Sequence, residues 1–273
     1  MKAPAFDYEC ARDAGHAVAL LAGAGRLAKP LAGGQSLGPM LNLRLVRPEL
    51  LVDVRRCPDL RGFVDEGDAI VYGAAVTHAE IEDGAVPDAL GGRLAQAARE
   101  IAYRAVRNRG TLGGSLVHAD PAADWPTVLL AAGAEVVVRG PGGLRAEALR
   151  DFLTGPFSVS LAPDELLIGV RVPKRGAALR WGYHKICVKA GEFARAFVVA
   201  MEDRASGERR AVVGAIERLP LVLEGDDAAI VDPQRAEALL AHRLPSLTPV
   251  LRRLHALALS RAQRALESNR NGG

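Results

Sequence analysis

The chain has 273 residues, of which 49% are hydrophobic, so it is long enough to bury a sizeable core in two or three subdomains. Its net charge is only +3 and its arginines fall in short, separated clusters, which argues against a nucleic-acid-binding role. The three cysteines are far apart with no C-x-x-C pair, which excludes an iron–sulfur cluster with four cysteine ligands and argues against a disulfide framework.

The N-terminal part of the chain predicts a compact βαβ unit. Apolar residues at helical spacing indicate a helix over Ala11–Gly25, and a short strand over Arg26–Leu31 follows it. Ser36 stands at the N-cap position of a second helix, Leu37–Leu45, and the apolar run Leu50–Val54 indicates a buried strand. The unit lacks the G-x-G-x-x-G fingerprint of a Rossmann site, so its likeness to nucleotide-binding units is architectural only.

The middle of the chain predicts a mixture of helices and strands. A hairpin is indicated at Gly62–Ala75, and Thr77 stands where it would cap a short helix over His78–Glu82. Further elements follow in chain order: a helix at Leu90–Ile101, a helix at Asp124–Ala132, a strand at Ala134–Arg139 and a strand at Leu166–Val172. The stretch Arg107–Asp124, between the two helices, is predicted to be a loop.

The character of the sequence changes after Pro173 and Gly176, and we expect a domain boundary there. Residues 1–175 would form one domain, with subdomains of about 1–55 and 56–175, and residues 176–273 would form a C-terminal domain of a three-stranded antiparallel sheet plus helices. Its predicted elements are strands at Tyr183–Val188, Arg195–Glu202 and Ala211–Glu217 and helices at Asp232–Ala241 and Leu247–Ser268. The tail, Asn269–Gly273, is predicted to be disordered.

Two glycine-rich turns indicate a ligand site: LAGGQSL at Leu31–Leu37 and RNRGTLGGSLVHADPAAD at Arg107–Asp124. Glycine allows positive φ and lets the backbone approach a ligand closely. Consecutive amide N–H groups in such a turn can form a nest for an anion such as phosphate. Thr111 and Ser115 add hydroxyl donors, and Asp124 can accept from a sugar hydroxyl. Two such turns predict one extended dinucleotide held from two sides.

The first turn and several other segments along the chain match one known family: Phe6-Asp7-Tyr8, Ala32-Gly33-Gly34-Gln35-Ser36, Leu51-Val52-Asp53, Glu165–Pro173, Lys185 and Gly191-Glu192-Phe193-Ala194. With Arg107–Pro126, where the match is densest, they make nearly the whole chain resemble the FAD-binding medium subunits of molybdenum hydroxylases, of carbon monoxide dehydrogenase and xanthine dehydrogenase type. The resemblance implies a fold of mixed α+β and α/β character, with a two-subdomain PCMH-type FAD-binding domain followed by the C-terminal domain.

The resemblance also implies which residues bind FAD. Two loops would grip the pyrophosphate: Ala32, Gly33, Gly34, Gln35 and Ser36 in the first, and Thr111, Leu112, Gly113, Gly114 and Ser115 in the second. Asp124 matches an acidic residue that contacts the nucleotide end. Ile101 and Leu167 match apolar positions beside the flavin, and Lys185 matches a lysine near the isoalloxazine ring. A cation at that position favours the anionic reduced flavin and raises its reduction potential.

We further expect positive φ at Gly33 and Gly114, where a β-branched residue would therefore be strained. Two positions depart from the family pattern: Glu192 stands where aspartate is common, and Phe197 stands in a run that is commonly of small residues. The glutamate keeps the charge, whereas the phenylalanine would reshape the wall next to the flavin.

Several residues near these motifs are interpreted as structural. Trp125 is more simply a packing side chain than a ring that stacks on a cofactor, whereas Tyr183 is open to both interpretations, core packing or a position over the flavin. His118 is interpreted as ordering the loop rather than as a catalytic acid or base. His78 shows no partner pattern for metal binding, so a structural role is preferred. We find no arrangement of side chains in the sequence that argues for hydrolysis or for a metal site, and we assign no catalytic residue.

The resemblance implies an electron-transfer subunit. A molybdopterin-binding large subunit would oxidise the substrate, a small subunit would pass electrons through [2Fe–2S] clusters to FAD in this chain, and FAD would deliver them to an external acceptor. The complex would be a dimer of heterotrimers. Two alternatives stay open: a self-sufficient FAD-dependent oxidase or dehydrogenase acting on its own small-molecule substrate, and a role without redox chemistry.

We expect the chain to be a soluble cytoplasmic protein rather than an integral membrane protein. Residues 1–13 show no apolar segment of the kind that a secretory signal requires. No stretch approaches the ~20 apolar residues of a membrane span. The scattered cysteines suit a reducing compartment.

Overall fold

The structure, a computed structural model, describes residues 2–176 and 178–268. The predicted disordered tail, Asn269–Gly273, lies outside these residues. The elements of the N-terminal unit are β1 Asp7–Cys10, α1 Ala14–Gly23, β2 Ala28–Leu31, α2 Leu37–Asn42 and β3 Leu50–Asp53. The three strands form a parallel sheet in the order β1-β3-β2, with the two helices as connections.

The predicted βαβ unit is confirmed, with one strand more than expected. All four residues of β3 are buried. Helix α1 packs against this sheet through Ala14, Ala17, Val18 and Leu21, which recur at helical spacing. Strand β1 was not predicted, because its four residues are all exposed and show no apolar alternation.

The second unit is built on an antiparallel sheet of five strands. The strands are β4 Phe63–Asp65, β5 Ala69–Gly73, β6 Glu135–Gly140, β7 Gly143–Ala148 and β10 Leu166–Pro173, and β8 Leu153–Gly155 pairs separately with β9 Ser158–Val159. The helices are α3 His78–Glu82, α4 Arg93–Arg99, α5 Arg104–Arg107, α6 Leu112–His118, α7 Asp124–Ala132 and α8 Leu149–Phe152. The order in the sheet is β4-β5-β10-β6-β7.

The expectation of a loop over Arg107–Asp124 is wrong, because much of this stretch is helical. Thr111 is the N-cap of α6, and its hydroxyl accepts from the N–H of Gly114 at 3.1 Å. Gly114 therefore lies in the first helical turn rather than in a left-handed turn. Positive φ was expected at Gly33 and Gly114, but it occurs instead at Gly34, where φ is 72°.

The C-terminal sheet has four strands, so the expected three-stranded sheet is also wrong. Its strands are β11 Leu179–Ile186, β12 Ala196–Asp203, β13 Glu208–Gly214 and β14 Leu221–Glu224, antiparallel in that order, and they are followed by α9 Pro233–Arg243 and α10 Pro249–Ser268. The short β14 directly follows Pro220 and is only half-buried, so it lacks the strong apolar pattern of its neighbours. The mixed α/β fold class itself is confirmed.

One hydrophobic core joins the five-stranded and four-stranded sheets. All nine residues of α7 are buried, and Trp125 and Leu129 share a cluster with Phe197 and Val212 of the C-terminal sheet. The division predicted near residue 175 stays a prediction, since this core runs across it. Within the described residues, none of the helices combines the length and apolar character that crossing a bilayer requires.

Candidate functional site

Gly33 of the first glycine loop, Ala32–Ser36, packs against Arg109 and Gly110, which directly precede the second loop, Thr111–Ser115. A Cβ atom placed on Gly33 would lie 2.0 Å from the carbonyl oxygen of Arg109 and 2.9 Å from Cα of Gly110. Both distances are far below van der Waals contact, so the two backbones touch and Gly33 admits no side chain. Glycine is required here for close approach rather than for positive φ.

The rest of the first loop is held by its own backbone and by the N-terminal core. Ala32 packs against that core, and Gln35 Nε2 donates to the carbonyl oxygen of Gly33 at 3.4 Å. Gly34 supplies the left-handed turn. Ser36 stands at the N-cap of α2 as predicted, but its hydroxyl makes no capping hydrogen bond. That hydroxyl is therefore available to a ligand.

The second loop rests on the end of β5. The N–H of Gly113 donates to Ala74 at 2.9 Å, and a Cβ on Gly113 would lie 2.5 Å from Cβ of Ala74. Leu112 is buried, and its N–H donates to the carbonyl oxygen of Val76 at 2.9 Å. The strand end thus fixes the first turn of α6. The next residues, Gly114 and Ser115, are exposed and half-buried respectively.

Asp124 and Lys185 form a buried ion pair. Lys185 Nζ donates to Asp124 Oδ1 at 2.8 Å and to the carbonyl oxygen of Glu100 at 2.9 Å, and Tyr183 Oη donates to the same Oδ1 at 3.3 Å. The two charged side chains are only 6% and 4% exposed. Burial raises the pKa of the Asp124 carboxyl, and the Lys185 ammonium opposes that rise.

This contact constrains the predicted roles of the pair. The resemblance assigned Asp124 to the nucleotide end of FAD and Lys185 to the isoalloxazine ring. Their side chains touch, so the structure brings these two predicted site residues to one place. Ile101 directly follows Glu100, whose carbonyl oxygen accepts from Lys185, so Ile101 lies next to the pair.

Ile101 lies in a turn that Arg107 holds. Ile101 is half-buried against the main core, and the next residue, Ala102, has φ of 44°. Arg107 Nη1 donates to the carbonyl oxygens of both residues at 3.0 and 2.9 Å, while Nε donates to Glu82 at 2.7 Å. Arg107 therefore shapes the turn and is already paired.

Leu167 lies in β10 and is 3% exposed, within the main core. The carbonyl oxygen of the next residue, Ile168, accepts from the N–H of Ala74 at 2.9 Å, and Ala74 in turn holds Gly113. Leu167 is thus linked to the second loop through one neighbouring strand.

His78 and Trp125, which the sequence suggested were structural, lie directly behind the second loop. Trp125 Nε1 donates to His78 Nδ1 at 3.0 Å, and the backbone N–H of His78 donates to Gly110 at 3.0 Å. Burial, with a smaller effect of Arg107, lowers the pKa of His78 to about 4. The capping residue Thr77 marks the start of this helix in the sequence, but nothing local indicates that its first residue pairs with a tryptophan 47 positions away.

Comparison with known proteins identifies the family. Residues 4–175 match the family described as the FAD binding domain in molybdopterin dehydrogenase. The chain belongs to this family. It is 39% identical over 193 residues to the carbon monoxide dehydrogenase medium chain of Hydrogenophaga pseudoflava, covering 71% of this chain and 67% of the relative. It is 36% identical over 245 residues to the nicotine 6-hydroxylase medium subunit of Paenarthrobacter nicotinovorans, covering 87% and 86%.

The fold supports the same membership. The structure of carbon monoxide dehydrogenase from Hydrogenophaga pseudoflava, in a form that lacks the Mo-pyranopterin moiety of the molybdenum cofactor, matches with a TM-score of 0.89 at 32% identity. The match covers 98% of this chain and 99% of that chain. The predicted family, the fold class, the oxidoreductase class and FAD as the cofactor are thereby confirmed. The individual FAD-binding residues stay a prediction.

Proposed function

We propose that this chain is the electron-transfer subunit of a multi-subunit molybdenum hydroxylase, which takes electrons from [2Fe–2S] clusters of a partner and passes them to an external acceptor. The observation that carries the proposal is the contact of the two glycine loops at Gly33, which makes one backbone surface from two distant segments. The FAD pyrophosphate carries about two negative charges, and a single N–H···O bond contributes only ~0.5–1.5 kcal/mol net, so several donors must converge.

The loops offer such a set of donors. Backbone amides of the first loop, Ala32–Ser36, would meet the pyrophosphate, together with the hydroxyls of Ser36 and Ser115. In the second loop the amides of Leu112, Gly113, Gly114 and Ser115 already donate within the protein and hold that loop in place. Neither hydroxyl donates a hydrogen bond to another of the described residues. Because glycine has no side chain, the surface of the loops stays open to the close approach of a ligand.

FAD supplies the redox chemistry when it is bound, because a flavin stores two electrons and also exchanges them one at a time. The residues of this chain bind and orient it. Ile101, which is half-buried, would supply an apolar contact near the ring systems, and Leu167, which is buried in the main core, would support the site from within that core. Lys185 is already paired with Asp124, so any effect of the lysine on the reduction potential would act through a nearly neutral pair.

The partners inferred for this chain are a molybdopterin-binding large subunit and a [2Fe–2S] small subunit, arranged as a dimer of heterotrimers. The names of the relatives support this inference, since they are medium chains or medium subunits. The cysteines support it too. Cys10, Cys57 and Cys187 are free and scattered, so clusters would have to reside in a partner.

The test is the flavin content and its reduction in the full chain, purified with and without its partner subunits. We expect equimolar flavin by visible absorbance, and reduction by the substrate of the complex only when the partners are present. Absence of flavin under all conditions would refute FAD binding. Reduction by a small molecule without partners would favour the self-sufficient oxidase or dehydrogenase.

Two variants test the assignment of the loops. In Gly114→Val the added Cβ would lie 2.6 Å from Thr111 Oγ1 and disrupt the cap of α6, so FAD retention should fall. Asp124→Ala removes the partner of Lys185 and should weaken retention as well. Unchanged FAD content in both, with the fold intact by circular dichroism, would contradict the assignment.

A further inference from the structure

We propose that His78 is a positioning residue, which holds the two glycine loops and the Asp124 end of the site in one arrangement as a neutral imidazole set between Gly110 and Trp125. The inference rests on the proposed FAD-binding function, because its consequence is measured at the FAD site. Nothing in the resemblance assigned a role in cofactor binding to this residue.

Four residues follow one another through the site. A Cβ on Gly33 would lie 2.9 Å from Cα of Gly110, and a Cβ on Gly110 would lie 2.8 Å from Nε2 of His78. The His78 ring then accepts from Trp125 at 3.0 Å, with ring centroids 5.9 Å apart. Because Trp125 directly follows Asp124, this series of contacts runs from the first loop to the buried ion pair.

The backbone of His78 supports the same loop. Its N–H donates to the carbonyl oxygen of Gly110 at 3.0 Å, so ring and backbone of one residue hold Gly110 from one side. Gly33 also approaches Gly110 closely. Neither glycine has a side chain with which to fix the loop, and the support must therefore come from the residues packed behind it.

The tryptophan determines where the imidazole carries its proton. An indole N–H is only a donor, so Nδ1 must be an acceptor and the proton of the neutral ring lies on Nε2. His78 as a whole is 5% exposed, and its Nε2 has no hydrogen-bond partner among residues 2–176 and 178–268.

The charged groups around the ring keep it neutral. Arg107 of α5 acts on the charge of the ring and is paired with Glu82 of α3. Glu80, also on α3, accepts from the N–H and the hydroxyl of Thr77. Burial and Arg107 lower the pKa of His78 to about 4, so Nδ1 is free to accept at neutral pH. A proton on Nδ1 would remove the acceptor that Trp125 requires.

Two variants distinguish a hydrogen-bonding role of His78 from a role in which its ring only fills space. His78→Phe keeps a ring beneath Gly110 but removes the acceptor. His78→Asn removes the ring but keeps an acceptor near the position of Nδ1. If His78 only fills space, phenylalanine is the better replacement. If it positions the loop through its hydrogen bond, asparagine is the better one.

The experiment titrates FAD into the full chain with its partner subunits, freed of FAD, and reads the Trp125 emission from the full chain alone. The background is Trp181→Phe, which leaves Trp125 as the single tryptophan of this chain and removes an indole N–H that has no partner among the described residues. We expect His78→Phe to raise the Kd for FAD on the order of tenfold and to shift the Trp125 emission, because a buried donor loses its acceptor. His78→Asn should restore a large part of both.

A further variant removes the indole that donates to His78. Trp125→Phe should weaken FAD binding about as much as His78→Phe, and the double variant should be no weaker than either single one. Additive effects, an unchanged Kd in His78→Phe, or equal weakening in the asparagine and phenylalanine variants would each overturn the inference. A wild-type complex that binds no FAD would instead overturn the proposed function, and this inference with it.

Discussion

The contact between the glycine loops gives a prediction whose size can be worked from the structure. In Gly33→Ala the new methyl group would lie 2.0 Å from the carbonyl oxygen of Arg109 and 2.7 Å from its carbonyl carbon. Ordinary contact begins at 3.4 Å, so the two loops must separate by more than an ångström. Overpacking of this kind costs roughly 1–3 kcal/mol, and if the cost falls on the bound state, FAD affinity drops roughly 5- to 150-fold.

The matched control is Gly38→Ala, the same change five residues further along in α2. A Cβ on Gly38 has nothing within 4 Å, and alanine in place of glycine in a helix stabilises by roughly 0.5–1 kcal/mol. FAD titration and urea unfolding of both full-length variants, with their partner subunits, separate binding from stability. If Gly33→Ala binds FAD as tightly as Gly38→Ala, the close approach of the loops does not shape the site and the reasoning fails.

Three further predictions concern the packing behind the site. Lys185→Met leaves Asp124 buried without its cation and should cost roughly 3–5 kcal/mol in urea unfolding, and adding Asp124→Leu should recover most of that loss. In Gly214→Ala the Cβ would lie 2.0 Å from Thr127 Oγ1, so thermal unfolding should show a stability lower by roughly 1–3 kcal/mol. Adding Thr127→Ala removes the clashing hydroxyl and should restore most of this stability. Stability should also depend on pH through His78, whose pKa is lowered in the folded state to about 4 from 6.5. Between these two pH values the unfolded chain binds more protons than the folded chain, so the contribution of His78 to the free energy of unfolding is full above pH 6.5 and falls by roughly 3 kcal/mol towards pH 4. His78→Asn should remove this dependence of the unfolding free energy on pH. An unchanged pH dependence in the variant would contradict the neutral, buried state of His78.

The elements that local sequence encodes were predicted well. Helix α7 begins and ends where the sequence indicates, since Gly133 closes it in a left-handed conformation with φ of 72°. The capping box of Thr77 and Glu80 forms as expected. Strands β1 and β14 were missed, because short, partly exposed strands owe their existence to pairing with distant partners rather than to their own pattern.

The candidate site shows the same division. The glycine motifs located both loops, but the reason for glycine at Gly33 lies in the backbone of a segment far along the chain. The sequence indicates Asp124 and Lys185 as separate site residues, yet their pairing depends on how the C-terminal sheet packs on α7. Pairing across distant elements has no local signal, so only the folded chain reveals it.

The charges around the site indicate how FAD would be recognised. Lys185 is paired with Asp124 and Arg107 with Glu82, whereas the exposed Arg109 forms no ion pair among the described residues. Because neither Lys185 nor Arg107 is a free cation, the pyrophosphate would meet chiefly amides and hydroxyls. Recognition by dipoles depends on their placement far more steeply than recognition by net charge does. For this reason a single methyl group between the loops is expected to weaken FAD binding more than the loss of any one exposed basic side chain.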